Sequence, residues 1–240
     1  MIDIKAKKLF FVSPHLDDAA LSAGALISSL SGKKDMTLIN VFTSPSTAIP
    51  SFSVKKMLAS CNAKDSQSLF KTRKIEDKKA FENTKIKIMN LDYTDALWRQ
   101  RESRLSKYLP EAGYVYPIFS LFAKSGKISS LDESMITKIK NDLVQIVGDS
   151  KEALVFCPLG LGNHVDHLIV RRVVEELFHN VIFWSDFPYC QTDSLSSRPS
   201  FTFTKMQAEK YEMVKKYKSQ LSLLFPNGIP SNMTEAYYEK

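Results

Sequence analysis

One arrangement constrains this chain more than any other, and it occurs twice: a short apolar run, a turn carrying His and Asp, then a helix. In the first copy, Leu9-Phe10-Phe11-Val12 reads as a buried strand between Lys7-Lys8 and Pro14. The turn Ser13-Pro14-His15-Leu16-Asp17-Asp18 follows. From Asp18 onward, Ala19, Leu21, Ala23, Ala25, Leu26 and Leu30 predict a small-residue helix that stops near Ser31-Gly32. In the second copy, Ala153-Leu154-Val155-Phe156-Cys157 leads into Gly162-Asn163-His164-Val165-Asp166-His167 and an amphipathic helix from Leu168 to Phe178. Strands joined through helices run parallel. In open sheets of that kind, ligands bind beyond the carboxyl ends of the strands, where both turns fall.

The rest of the chain extends the pattern. Met36–Phe42, Ile86–Leu91 and Val181–Trp184 read as further strands; Arg73–Asn83, Asp132–Val147 and Lys205 to about Leu224 read as helices. Residues 43–69 are polar, rich in Ser and broken by Pro45 and Pro50, and predict a long loop beside the site. Residues 93–131 are aromatic and Arg-rich, interrupted by Pro110, Gly113, Pro117 and Gly126, and read as a lid or insertion over the pocket. The expected class is α/β and Rossmann-like: a mainly parallel sheet with helices on both faces, one domain over residues 1–240. A length of 240 residues suits one large core.

The chain has four His, and three of them lie in the two turns. Two His and one carboxylate with an open position are the donor set of a catalytic zinc, and the same trio suits non-haem iron. The ordinary alternative is two capped helices, since Asp is a common N-cap. The net charge of +7 comes from scattered Lys. Lys205, Lys210, Lys215, Lys216 and Lys218, interrupted by Glu209 and Glu212, read as a solvated helix face. Nucleic acid is not an expected partner, because no groove-reading element accompanies the charge. Cys61, Cys157 and Cys190 form no CxxC pair, charge interrupts the N-terminus, and no apolar run reaches bilayer length. A cytoplasmic protein without a transmembrane segment is therefore expected. Nothing in the sequence speaks to oligomeric state.

These motifs resemble the PIG-L/LmbE-like family of zinc-dependent N-acetylglucosaminyl deacetylases. Pro14-His15-Leu16-Asp17-Asp18 is similar to that family's opening His-Pro-Asp-Asp motif, with Leu16 where Pro is usual. His164-Val165-Asp166-His167 matches its His-x-Asp-His motif. Arg73-Lys74-Ile75-Glu76, continuing to Ala80, resembles an Arg-x-x-Glu-x-x-x-Ala helix, Asp95 an Asp after the next strand, and Tyr217-Lys218-Ser219-Gln220 a late Tyr-x-Ser-Gln helix. The likeness covers residues 8–97 and 153–222. It implies His15, Asp18 and His167 as zinc ligands, with Fe2+ the other metal the donors would accept, and Asp17 as general base. It further implies His164 facing the oxyanion and leaving amine, Asp166 as an orienting carboxylate near it, and Arg73 and Asp95 holding hydroxyls of an amino-sugar substrate. Ala19 stands where many members have Glu, and residues 98–131 align with nothing in the family.

The individual residues have plainer readings too. Arg73 and Glu76 at i,i+3 could form a surface ion pair, and Asp95 could cap a short helix before Trp98. Tyr93, Trp98, Tyr114 and Tyr116 suit a core as well as a sugar platform. Asp186 and Tyr189 lie just beyond a strand, but no spacing singles them out. A non-catalytic sugar- or ligand-binding protein on the same fold is the alternative function.

Overall fold

The computed structural model describes residues 4–148, 153–191 and 198–240. The strands among these residues form one sheet, in the order β3 (Lys87–Asn90), β2 (Asp35–Asn40), β1 (Lys8–Ser13), β4 (Ala153–Pro158), β5 (Val181–Trp184), β7 (Glu235–Glu239), β6 (Phe201–Phe203). β1 (Lys8–Ser13) pairs in parallel with β2 (Asp35–Asn40) on one side and with β4 (Ala153–Pro158) on the other. β3 (Lys87–Asn90) extends the first side and β5 (Val181–Trp184) the second, both parallel. The chain thus winds outward from β1, returns, and winds the other way. The crevice between the ends of β1 and β4 is the topological switch point, where such sheets bind ligands.

Alternating strand residues sort onto the two faces. Phe10, Val12, Ile39, Val155, Cys157 and Phe183 pack under α5 (Glu133–Val147) and α6 (Val165–Leu177). Leu9, Phe11, Leu38, Phe156 and Trp184 pack under α1 (Asp18–Leu30), α3 (Ser66–Ala80) and α7 (Gln207–Val214). The small residues of α1 let α7 come close: a Cβ on Gly24 would fall 2.9 Å from Met213 Sδ. The expected α/β class and two-sided helical cover are both present.

Several boundaries differ from expectation. Residues 43–69 are not one loop: they hold α2 (Phe52–Ser60) and the start of α3. Two of the Ser residues that suggest a loop serve helix N-termini instead. Ser51 accepts the Val54 amide, and Asp65 with Ser68 forms a capping box. Two strands escaped detection. β7 (Glu235–Glu239) adds antiparallel to β5, and β6 (Phe201–Phe203) adds antiparallel to β7 at the sheet edge. The helix expected over 205–224 ends with α7 at Val214, and only the short α8 (Leu221–Leu224) follows. Buried polar bonds hold the chain between them: Tyr217 OH donates to Asp77 Oδ1 at 2.8 Å, and Ser219 N and Oγ donate to Glu76 at 2.8 and 2.6 Å. Lys210 is not on a solvated face. It is fully buried, donates to Met233 O at 2.8 Å and pairs with Glu235 at 3.0 Å.

Asp77 provides a pH-dependent stability term. Burial pushes its carboxyl up to about 8, against the hydrogen bonds from Tyr217 and Asn40. The native carboxyl then keeps a proton that the unfolded chain releases above about pH 4. The native state binds the extra proton between about pH 4 and pH 8, so this group's contribution falls as pH rises through that window. Asp77→Asn mimics the protonated form. Its stability relative to the parent is expected to rise by at most about 1.4 kcal/mol per pH unit in that window. Urea midpoints of both proteins at several pH values check this, and a pH-independent difference would refute it.

Candidate metal centre

The first turn spends its cap in an unexpected way. Asp17 is the N-cap of α1, yet its side chain makes no cap bond; the Ala19 amide donates to Ser13 Oγ at 3.2 Å instead. Asp17 is left with a buried carboxyl that capping does not consume. Asp18 points the other way. Its Oδ2 accepts the His15 amide at 2.8 Å and lies 3.0 Å from His15 Nδ1 and 3.4 Å from His167 Nε2. In the second turn His164 does act as a cap, its Nδ1 accepting the Asp166 amide at 3.2 Å. The capped-helix alternative therefore holds for α6 and fails for Asp17.

The sheet brings the two turns together. His15, His164 and His167 have ring centroids 5.0 to 5.4 Å apart. Two donor sets are compact enough for one cation: His15, Asp18 and His167, or His15, His164 and Asp166. The outer hydrogen bonds favour the first. His15 Nε2 faces Asp166 Oδ2 at 3.0 Å, and His167 Nδ1 faces Asp186 Oδ1 at 2.6 Å, while each ring's other nitrogen turns to Asp18 Oδ2. A carboxylate behind each ligating imidazole fixes its tautomer and raises its basicity, the usual support of a metal-bound His. In the second set, the Nδ1 of His164 is already occupied by an amide proton. The donors thus fit a divalent metal at Asp18. Asp186, which no spacing had singled out, is itself anchored: its Oδ2 accepts the amides of Gly160 and Leu161 at 2.7 and 2.9 Å. Gly162, at φ 77°, makes room beside it, since a Cβ there would meet the Tyr189 ring at 2.5 Å.

The charges agree with this geometry. Burial raises the Asp18 carboxyl, but His167 and His15 outweigh it and hold it well below the usual range. Burial lowers the imidazoles of His15 and His167. Asp166 and Asp18 hold His15 well above its ordinary value, and Asp18 with Asp186 brings His167 to about 10. The pocket draws positive charge, and a cation competes with those protons for the same lone pairs. Asp17 is different: burial and the Asp18 charge push it up to about 6, partly offset by Arg73 and His15. His164 is held well below the ordinary value by burial and the His15 charge, so its ring is neutral.

The remaining expected residues are nearby with altered partners. The Asp166 carboxylate hydrogen-bonds His15, the Ala96 amide at 3.0 Å and the Arg99 guanidinium, while the residue's backbone amide reaches His164. Arg73 forms no ion pair with Glu76, whose oxygens are taken by Ser219. Arg73 is buried, its Nη2 facing Met57 Sδ and Cys61 Sγ, and its charge is felt at Asp17 and Asp95. Asp95 caps a short helix through Leu97 N at 2.8 Å and also stands 3.7 Å from His15 Nε2. Trp98, Tyr114 and Tyr116 are core side chains. Phe119, at the start of the short α4 (Phe119–Phe122) within residues 93–131, brings its ring 5.4 Å from that of His164. No helix among the described residues is long and apolar enough to cross a membrane.

Solved structures share this architecture. A deacetylase of the teicoplanin biosynthesis pathway superposes with a TM-score of 0.76 at 21% identity, over 97% of this chain and 98% of its own. A zinc-inhibited form of the teicoplanin deacetylase Orf2 gives 0.74 at 19% identity, over 97% and 98%. The N,N'-diacetylchitobiose deacetylase of Pyrococcus horikoshii gives 0.56 at 13% identity, over 98% and 84%. No curated protein sequence matches the chain. The sequence model of the PIG-L family, described as GlcNAc-PI de-N-acetylase, matches residues 10–178 and takes in both His–Asp turns. The chain belongs to the PIG-L family.

Proposed function

We propose that this protein is a metal-dependent hydrolase that removes the N-acetyl group from an amino sugar or its glycoconjugate. One observation carries the reading. His15 and His167 converge on Asp18 with a carboxylate behind each ring, beside a carboxyl at Asp17 that makes no cap bond. Family membership, and solved relatives named as deacetylases of the teicoplanin pathway and of N,N'-diacetylchitobiose, support N-deacetylation as the reaction class.

His15 Nδ1, Asp18 Oδ2 and His167 Nε2 would hold the metal. Zinc or iron(II) in such a three-ligand site supplies a water of lowered pKa and a Lewis acid for the amide carbonyl. Asp17 takes the proton that the attacking water gives up. With its Nδ1 accepting an amide proton, the neutral His164 ring carries its own proton on Nε2. That N–H is a donor for the oxygen that gains charge as the carbonyl is attacked. Asp17 can afterwards return its proton to the departing amine. Arg73 and Asp95 would hold sugar hydroxyls. Phe119 lays an apolar ring against His164, 5.4 Å between centroids.

The test uses protein stripped by a chelator and reloaded with one equivalent of zinc or iron(II), then with excess zinc, because one relative is known in a zinc-inhibited form. Acetate release from N-acetylglucosamine, chitobiose and larger N-acetylglucosamine conjugates is the readout. Turnover is expected from loaded protein only. A protein that takes up one metal, binds an N-acetyl sugar and releases no acetate would overturn the reading in favour of a binding protein.

A further inference from the structure

Residues 93–131 read in the sequence as a lid or insertion over the pocket. Arg99 lies within them, and the residue is only 6% exposed. Its Nη2 donates to Asp166 Oδ1, its Nη1 to Asp132 Oδ2 at 2.9 Å, and its Nε to Thr94 O at 3.2 Å. It lies over the rings of Phe42 and Tyr116 at 4.9 and 5.7 Å. Tyr116 OH in turn donates to Asp132 Oδ2 at 2.6 Å. Planarity, a fixed charge and fork geometry let Arg bridge two buried carboxylates while stacked between rings, which Lys cannot reproduce.

From these contacts we infer that Arg99 is a positioning residue for the metal centre, holding Asp166 as the hydrogen-bond partner of His15 Nε2 and not as a ligand. The inference rests on the metal site proposed above. Asp166 is fully buried, and apart from His15 its carboxylate partners are Arg99 and the Ala96 amide, both from residues 93–131. One of its carboxylate oxygens belongs to a group with His15 and His164 compact enough to take a cation. With Arg99 in place, Oδ1 is engaged and the negative charge is matched, so Asp166 supports His15 and the metal goes to Asp18. Without Arg99, Asp166 has an uncompensated charge beside a second donor set. The segment that seemed a cover is therefore one wall of the metal centre.

Metal affinity and coordination test this without relying on turnover. Wild type, Arg99→Ala and a surface control, Arg172→Ala, are stripped. Zinc affinity is measured by chelator competition, and the visible spectrum is recorded with Co2+. The wild type must bind one zinc; failure there would sink the proposed function itself. Given that, Arg99→Ala is expected to bind zinc about 10- to 100-fold more weakly, as when a partner behind a ligand is lost. Its cobalt spectrum is expected to differ, and millimolar guanidinium should restore both properties. The control should match wild type. A folded Arg99→Ala with affinity within threefold of wild type and the same cobalt spectrum overturns the inference. If the variant does not fold, long-range nitrogen–proton spectra of zinc-loaded wild type decide. The His15 ring proton belongs on Nε2, facing Asp166, and finding it on Nδ1 overturns the proposal.

Discussion

Asp17→Asn is expected to keep its metal and its fold while losing about 10² to 10⁴ in kcat, the usual cost of removing a general base. The structure gives each half of that expectation. The fold should persist because Ser13 Oγ, not Asp17, serves the Ala19 amide at the start of α1. The metal should persist because Asp17 belongs to neither donor set, whereas Asp18 lies at the centre of one. The rate should fall because an amide oxygen is too weak a base to take a proton from water. The loss should appear in kcat more than in KM, since proton transfer develops in the transition state. Metal content, circular dichroism and steady-state kinetics together check it. An Asp17→Asn protein that emerges metal-free would reverse the roles of the two adjacent carboxylates.

Asp18→Asn should behave in the opposite way. One oxygen, Oδ2, accepts the His15 amide at 2.8 Å and faces both His15 Nδ1 and His167 Nε2. The amide substitution keeps the shape and removes the charge that holds a cation there. Zinc affinity is expected to fall by more than about 10²-fold, beyond what losing a residue behind a ligand costs. Activity should fall with occupancy and recover in part when metal is raised, a dependence that Asp17→Asn should lack. Chelator competition measures the affinity directly. Wild-type affinity in Asp18→Asn would remove Asp18 from the ligand set.

The parts legible in the sequence were those with local signatures. β1, β2, β4 and β5 are apolar runs bounded by charge or turn residues, and each forms close to its expected limits. Both His–Asp turns were visible because three of the four His fall in them. What escaped depends on distant partners. β7 and β6 are short strands without a strong alternating pattern, and only the pairing of β7 with β5 and of β6 with β7 makes them strands. The expected last helix breaks because Tyr217 and Ser219 turn back to Asp77 and Glu76 on α3. Asp186 and Arg99 carry no motif. Their importance comes from facing His167 and Asp166 across the fold, which spacing along the chain does not encode.

The adjacency of β1 and β4 has a consequence for how the cation arrives. His15 and Asp166 are 151 positions apart in sequence and 3.0 Å apart in space. Closing a loop of that size costs about 4 kcal/mol in chain entropy by the logarithmic rule, before any constant term. That cost is met when Lys8–Phe11 zips onto Ala153–Phe156, a backbone pairing in which no metal takes part. An ion at the proposed site would therefore enter a cage whose bars are already joined. It would clasp two halves of the polypeptide that the sheet has already brought together, and its removal by a chelator should leave the β1–β4 pairing in place.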